Sequence, residues 1–429
     1  MTTQQAVTRP SGSEWLSRMP EWFFVLFAGA MAFGTFFSMY AFRKPFAAAA
    51  FTDGPDLLGL PFKVALVIAQ VGGYAIAKCV GVKVIAELPA RHRVNGIVIQ
   101  IAAAELALVL FAIVPSSWKV GCLLLNGFSL GMVWGMVFAF VEGRRQSDVI
   151  GAMLCASFAV ASGFVKSVGQ SFLNGGFVDE WWMPAATGLV FVPVLGLCVS
   201  GLAILPPPSA ADQAARVMRA PMNAADRRQF VRRFGTGLAA LVLIHVMLTA
   251  LRDLRDNFAS DIWAELGLGG RAELFTWTEI PIALMVLGTF ATLSLFQDNR
   301  RALSVTFILI ACGLSLAGLA STFFAMSWIG PVTWMVLLGG GLYLAYTPFN
   351  GLLFDRLVAA SGSVANAGFL IYIADSFGYS GSVGLLLLRN VPQLHMAWSS
   401  FLCSVSIASS LLGLLLLGWA SHVVRARLR

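Results

Sequence analysis

Long apolar stretches separated by short polar segments run along almost the whole chain. A transmembrane helix needs about 20 mostly apolar residues, and stretches of that length recur from residue 22 to residue 424. We therefore predict twelve membrane-spanning helices, numbered spans 1 to 12 in chain order. Their predicted bounds are 22–50, 61–86, 94–115, 117–141, 149–173, 183–205, 233–258, 275–297, 301–326, 328–350, 364–388 and 395–424.

A basic segment in the middle of the chain divides these spans into two groups of six. It begins with the proline run Pro206–Pro208 and continues through six arginines to Arg233. We therefore predict an all-α membrane protein with 12 transmembrane helices in two six-helix halves. The predicted parts are an N-terminal segment 1–21, a first half 22–205, a basic linker 206–232 and a second half 233–429.

The composition supports a membrane protein and limits its partners. Hydrophobic residues make up 58% of the chain and charged residues only 12%, about half the charged fraction of soluble proteins. Most of the 29 Lys and Arg fall in the N-terminal segment, the linker, the C-terminal tail and alternate loops, a distribution typical of cytoplasmic segments. We therefore predict a multi-pass protein of the inner (plasma) membrane, with both termini and the linker cytoplasmic.

This loop asymmetry explains the net charge of +8 without a nucleic-acid partner. The six cysteines all fall inside predicted spans, and no Cys-x-x-Cys pair occurs. We therefore expect neither a metal nor a cofactor, and we expect a monomer whose partners are the lipid bilayer and a small molecule.

Arginines at membrane depth are the strongest functional signal. An arginine there costs about 2.5–3.5 kcal/mol on insertion scales, so it persists mainly where it faces a cavity or a partner. Arg43 lies near the end of span 1, and Arg252 and Arg255 share one face of span 7. A guanidinium group suits a phosphate or carboxylate because it donates two parallel hydrogen bonds. We predict that one arginine from each half binds an anion.

Two readings of these arginines stay open. Arg43 alone would also fit an interfacial arginine that extends towards lipid headgroups. The span 7 arginines are interleaved with Asp253 and Asp256, so the cluster would also fit a self-neutralising set of ion pairs. A short repeat, Arg43-x-x-Phe46 in span 1 and Arg255-x-x-Phe258 in span 7, leaves open which of Arg252 and Arg255 faces the cavity.

Other charged residues lie within the apolar spans. Lys78 has no acidic residue within one helical turn, so we expect it to face the cavity, with Lys166 as a further candidate. Intramembrane acids could pair with these cations or carry a coupled proton, whereas we expect His245 to be a hydrogen-bonded packing residue. The candidates for ion pairing or coupling are Asp253, Asp256, Glu105, Glu279 and Asp375.

Three motifs resemble those of the organophosphate:phosphate antiporters of the major facilitator superfamily, which carry glycerol phosphate and hexose phosphate. They are Tyr40-Ala-Phe-Arg43-Lys44-Pro45-Phe46 in span 1, Tyr74-x-x-x-Lys78 in span 2, and Leu251-Arg252 followed by Asn257-Phe258 in span 7. The resemblance implies that Arg43 and Arg252 bind the substrate phosphate and that Lys78 lies near the site. One departure is Ser157, which stands where that family has a histidine.

The predicted function is secondary transport of a small organic anion, a phosphorylated or phosphonate compound exchanged for inorganic phosphate by alternating access. Arg43, Arg252 and Lys78 would hold the anion, and Tyr40 and Tyr74 would donate hydrogen bonds. We expect exchange to be obligatory because an empty site would be too positive to close. The alternatives are a transporter-like receptor and a proton-coupled organic-anion symporter. No enzyme is predicted, since neither HExxH nor GxSxG occurs.

Overall fold

The chain folds into a bundle of long helices whose order follows the apolar stretches of the sequence. The computed structural model describes residues 11–428 except 142–143, 145–146, 208–211, 213–223, 295, 297, 351–352, 362–366 and 392–395. The first half contains helices Ser11–Ser17, Glu21–Tyr40, Phe62–Glu87, Arg93–Ile113, Ser116–Leu130, Val133–Val141, Ser147–Asn174 and Met183–Ala203. The second half contains helices Ala224–Asn257, Ala259–Glu265, Ala272–Trp277, Ile280–Ser294, Asn299–Ala325, Pro331–Tyr346, Leu353–Ser361, Ala367–Arg389 and Trp398–Leu428.

The helices account for the predicted spans. Within the described part of the chain, 11 helical segments are long and apolar enough to cross a membrane. The remaining prediction, span 11, corresponds to helix Ala367–Arg389, which carries Asp375 and several serines. Most of the predicted linker 206–232 lies outside the described residues. The protein is therefore an all-α, multi-pass membrane protein.

The two halves pack their helices in the same way. In the first half, span 1 packs against spans 5 and 6, span 2 against span 4, and span 3 against spans 4 and 6. In the second half, span 7 packs against spans 11 and 12, span 8 against span 10, and span 9 against spans 10 and 12. Each pair of the first half thus recurs six spans later. Between the halves, span 2 packs against span 11 and span 5 against span 8.

Span 1 is shorter as a helix than the apolar stretch 22–50 suggests. Its α-helix ends at Tyr40, and Pro45–Ala48 forms a single 3-10 turn. Proline has no backbone N–H and disfavours helical conformation in the residue before it, so Pro45 accounts for the break. Arg43 therefore lies on a buried, non-helical turn.

Side chains from other spans hold this turn in place. Asn126 donates from Nδ2 to the carbonyl of Phe42 at 2.8 Å, and Gln70 donates from Nε2 to the carbonyl of Arg43 at 2.8 Å. Gln70 also donates to Asn126 Oδ1 at 2.9 Å. Buried carbonyl groups freed from a helix need such partners. The position of Arg43 is therefore fixed from spans 2 and 4.

Candidate functional site

Arg43 stacks on an aromatic platform in the first half. Its guanidinium carbon lies 3.9 Å from the centre of the Tyr74 ring and 6.0 Å from that of Tyr40. Only 6% of the residue is exposed, and its Nε is buried without a hydrogen-bond partner among the described residues. An unpartnered buried donor is costly. The free Nε therefore points to a ligand that accepts hydrogen bonds.

Arg252 has a matching platform in the second half. Its guanidinium carbon lies 4.1 Å from the centre of the Tyr346 ring, and one Nη donates to Asp253 Oδ1 at 3.0 Å. The other Asp253 oxygen accepts a hydrogen bond from Ser382 at 2.8 Å. Arg252 is thus held at the protein interior by one tyrosine and one carboxylate.

The two arginines share neighbours, which brings them to one site. Both interact electrostatically with Tyr40, Tyr379 and Asp253. The Tyr379 ring also contacts the Tyr74 ring edge-on, with centroids 5.2 Å apart. We call Arg43, Arg252 and their surrounding tyrosines the central site, and it lies between the two halves.

Tyrosines are concentrated around this site. The chain has six tyrosines against 33 phenylalanines. The structure places five of them next to these arginines or their aromatic neighbours: Tyr40, Tyr74, Tyr343, Tyr346 and Tyr379. The sequence analysis identified Tyr40 and Tyr74 but missed three others: Tyr343, Tyr346 and Tyr379. The available signal was that every tyrosine falls inside a span, away from the loops where interfacial tyrosines occur.

Arg255 is bound by groups of the second half. It donates from Nη1 to Glu279 Oε1 at 2.8 Å and from Nε to the Met335 carbonyl at 3.2 Å. Only 3% of it is exposed, and it packs against Gly339 of span 10. The structure thus places Arg255 and Glu279 as an ion pair inside the second half.

Asp256 and Lys166 form part of a cluster of ion pairs between the halves. Lys44 Nζ lies 2.5 Å from Asp256 Oδ2, and Lys166 Nζ lies 2.7 Å from Asp256 Oδ1. Lys44 also donates to Asn257 at 2.7 Å, and Ser162 donates to Asp256 at 2.5 Å. Asp256 therefore links spans 1 and 5 to span 7.

A second cluster of polar contacts also connects the two halves. Lys63 Nζ lies 2.6 Å from Asp261 Oδ2 and donates to Ser260 Oγ at 2.7 Å and to the Ala47 carbonyl at 3.1 Å. These residues lie where spans 1 and 7 end and span 2 begins, which we call the distal end. The distal gate is the set of ion-paired residues that closes this end. Its members are Lys44, Lys63, Lys166, Asp256 and Asp261.

Lys78 has an acidic partner that its own helix does not supply. Its Nζ lies 3.5 Å from Asp375 Oδ2 of span 11. The interpretation of Lys78 as a cation with no acid to cancel it is therefore corrected, because the neutralising carboxylate comes from the other half. Together with Asp253, Asp375 offsets part of the charge of Arg43, Arg252 and Lys78.

Glu105 stands alone in the first half. Both carboxylate oxygens are buried and have no hydrogen-bond partner among the described residues. A Cβ added at Gly188 of span 6 would meet Glu105 Oε2 at 2.4 Å, so the glycine leaves room for the carboxyl group. The structure brings Glu105 to none of the cationic candidates.

The fold is similar to that of solved peptide transporter structures. A crystal structure of the peptide transporter POT in complex with sulfate shares 14% identity, covers 97% of this chain and 99% of its own, and gives a TM-score of 0.63. A POT family transporter in complex with a thioalcohol conjugated peptide shares 12% identity over 93% and 96% of the chains, with a TM-score of 0.60. Another POT family transporter, in complex with 5-aminolevulinic acid, shares 12% identity, covers 93% of this chain and 96% of its own, and gives a TM-score of 0.58.

These similarities define the class of fold, two six-helix halves that enclose a central site. The chain belongs to a family described as "Family of unknown function (DUF5690)", whose model matches residues 45–426. No curated protein matches the sequence. The function therefore has to be argued from the site.

Proposed function

We propose that this protein is a secondary active transporter of a small organic anion with a phosphate- or phosphonate-like group. The observation that carries the proposal is the pair Arg43 and Arg252, which stand in opposite halves and share Tyr40, Tyr379 and Asp253 as neighbours. The fold supports transport by alternating access, since similar structures belong to peptide transporters. The motif resemblance supports the substrate class.

The tyrosine platforms explain how the arginines bind an oxyanion. The Tyr74 and Tyr346 rings lie 3.9 and 4.1 Å from the two guanidinium carbons, and these contacts leave the N–H edges of the guanidinium groups available to a ligand. Those edges form bidentate hydrogen bonds with phosphate or carboxylate oxygens. The site is poorly screened by water, so each charge-assisted contact is stronger than at a surface.

The distal gate fits one state of the transport cycle. Lys44–Asp256 and Lys63–Asp261 join the two halves at the distal end, so the protein is closed there. Opening this end requires these ion pairs to break and the halves to rotate about the central site. The anion, held by one arginine from each half, would then be exposed to the other side of the membrane.

Exchange with inorganic phosphate remains part of the proposal, but it need not be obligatory. Asp253 pairs with Arg252, and Asp375 pairs with Lys78. The empty central site is therefore less positive than the three cations alone suggest. We propose that the empty carrier can reorient, so that net transport accompanies exchange.

The proposal is tested with the purified full-length protein in liposomes. Labelled inorganic phosphate is added outside vesicles that contain unlabelled phosphate, with equal pH and concentration on both sides. We expect entry of label that organophosphates and phosphonates inhibit and that sugars and amines do not. Arg43→Gln should abolish entry, and Arg300→Gln, in the exposed first turn of helix Asn299–Ala325, should not.

Two results would contradict this function. If labelled phosphate enters these vesicles no faster than it enters protein-free liposomes, the protein does not transport phosphate. Inhibition by neutral or cationic compounds in place of anions would remove the arginine pair from substrate binding. Binding of labelled anion without entry would favour the receptor alternative.

A further inference from the structure

A cluster of titratable groups lies between the halves, next to the arginine pair. Asp375 of span 11 is contacted by Lys78 of span 2 at 3.5 Å and by His245 Nε2 of span 7 at 3.3 Å. Arg252 and Tyr379 also act on the Asp375 carboxylate electrostatically. Tyr346, the platform of Arg252, stacks on the His245 ring with centroids 5.2 Å apart. The cluster therefore touches the central site directly.

His245 is a buried side chain whose hydrogen-bonding capacity is only partly used. Only 1% of it is exposed, and its Nδ1 is buried with no hydrogen-bond partner among the described residues. Histidine is the side chain whose charge ordinarily changes between about pH 5 and 8. Bound to a carboxylate on one nitrogen and free on the other, it can accept a proton without losing its partner.

Two cations compete for one carboxylate in this arrangement. When His245 is neutral, Lys78 neutralises Asp375 from the opposite half. When His245 is protonated, it neutralises Asp375 from within the second half, and Lys78 no longer has to. A buried charge is strongly disfavoured without a counter-charge, so protonation of the pair determines where the lysine ammonium is needed.

We propose that the His245–Asp375 pair binds one proton that is transported together with the anion. This inference rests on the proposed function and names its coupling ion. The proton enters the pair from the side that loads the substrate and releases Lys78 from Asp375. Lys78 then adds its charge to that of Arg43 and Arg252 around the anion. When the anion leaves, Lys78 returns to Asp375, and the proton leaves on the same side as the anion.

The inference is tested by comparing two measurements on the same vesicles. The first is exchange of labelled phosphate at equal pH and equal phosphate, which needs no net proton movement. The second is accumulation of labelled phosphate against its gradient, driven by an acidic exterior with the membrane potential clamped at zero. Wild type should do both. Asp375→Asn should retain exchange and lose the accumulation that exceeds what the pH dependence of phosphate itself produces.

Glu105→Gln is the matched control, since Glu105 is also a buried carboxyl group of a span but lies outside the cluster. It should retain both exchange and accumulation. His245→Gln preserves hydrogen bonding to Asp375 but cannot take up a proton, so it should retain exchange and lose the accumulation. Thermal unfolding of each purified variant shows that it is folded.

The outcomes separate this inference from the proposed function. Absence of exchange in the wild type would overturn the proposed function. Exchange by the wild type without any accumulation beyond that of Asp375→Asn would overturn only the proton site. Loss of accumulation in Glu105→Gln would show that the inference places the proton on the wrong carboxyl group, and full accumulation in His245→Gln would remove the histidine from the site.

Discussion

The guanidinium group of Arg43 lies over the ring of Tyr74, with 3.9 Å between its carbon and the ring centre. Replacing Tyr74 by Phe keeps the ring and should preserve most of the anion affinity. Replacing it by Leu removes the platform and should weaken anion binding about 2- to 30-fold, since a cation–π contact contributes about 0.5–2 kcal/mol. Titration of labelled phosphate binding measures the difference. Equal affinities for the Phe and Leu variants would show that the ring does not orient Arg43.

The proposed role of Arg43 and Arg252 depends on the shape of the guanidinium group as well as on its charge. A lysine keeps the positive charge but lacks the planar fork. Arg43→Lys and Arg252→Lys should therefore each lower phosphate affinity, by about 1.5–3 kcal/mol for a lost charge-assisted contact, while both proteins stay folded. Phosphate titrations on the purified variants test this.

Arg255→Lys is the matched comparison on the same helix. Its side chain bonds to Glu279 and the Met335 carbonyl within the second half. This change should lower the unfolding temperature more than it lowers phosphate affinity. A larger loss of affinity in Arg255→Lys than in Arg252→Lys would reverse the assignment of the substrate arginine.

Local patterns predicted much of this site, and long-range packing supplied the rest. The apolar stretches were sufficient for the spans, and the motif around Arg43 was sufficient to select it as a candidate. The ion pair between Lys63 and Asp261 joins residues 198 positions apart, and no periodicity within one helix indicates such a partner. The same holds for Lys78 and Asp375, where the apparent lack of an acid reflected only the neighbours in sequence.

The tyrosines were missed for a different reason. Tyr343 and Tyr346 are three residues apart in an apolar span, a spacing that ordinary packing also produces. The break after Tyr40 was predictable in principle, because Pro45 cannot continue a helix. The apolar composition of residues 46–51 outweighed that signal in the predicted span 22–50.

The orientation in the membrane is a further prediction. The basic loops predict that the termini are cytoplasmic, which places the distal end outside the cell. In a background without native cysteines, Asp56→Cys in the exposed loop between spans 1 and 2 should react with an impermeant thiol reagent in intact cells. Arg300→Cys, between spans 8 and 9, should react only after the cells are opened. The opposite pattern would invert the predicted topology.

Gly163 of span 5 lies in close contact with span 8 of the other half, so its substitution tests how tightly the two halves pack. An added Cβ would lie 2.0 Å from the Phe275 carbonyl oxygen and 2.6 Å from Glu279 Cγ, both in span 8. The backbone there cannot move without separating the spans. Gly163→Ala should destabilise the protein by about 1–3 kcal/mol, as overpacking does. Thermal unfolding in detergent measures the loss.

Gly288, also in span 8, provides the control because nothing lies within 4 Å of its added Cβ. Gly288→Ala should be neutral or stabilise the protein by up to about 1 kcal/mol, the gain in helix propensity. Equal effects of the two substitutions would show that the contact between spans 5 and 8 is not tight.

The distal gate predicts a change in accessibility when one charge is removed. Asp261→Asn leaves the Lys63 ammonium with Ser260 and the Ala47 carbonyl as its remaining described partners, so the closed state should lose stability relative to the distally open state. A cysteine at Ser167, which in the closed state bonds to Thr276 across the halves, should then react faster with a thiol reagent added on the distal side.

The charge swap Lys63→Asp with Asp261→Lys distinguishes a paired gate from two independent effects. If the ion pair itself holds the distal end closed, the double variant should slow the labelling of Ser167→Cys towards the rate of the parent protein, as coupled neighbours do in a double-mutant cycle. Additive effects of the two single reversals would contradict the pairing. Phosphate should slow labelling only in variants whose central arginines are intact, because an anion bound between Arg43 and Arg252 holds the halves together.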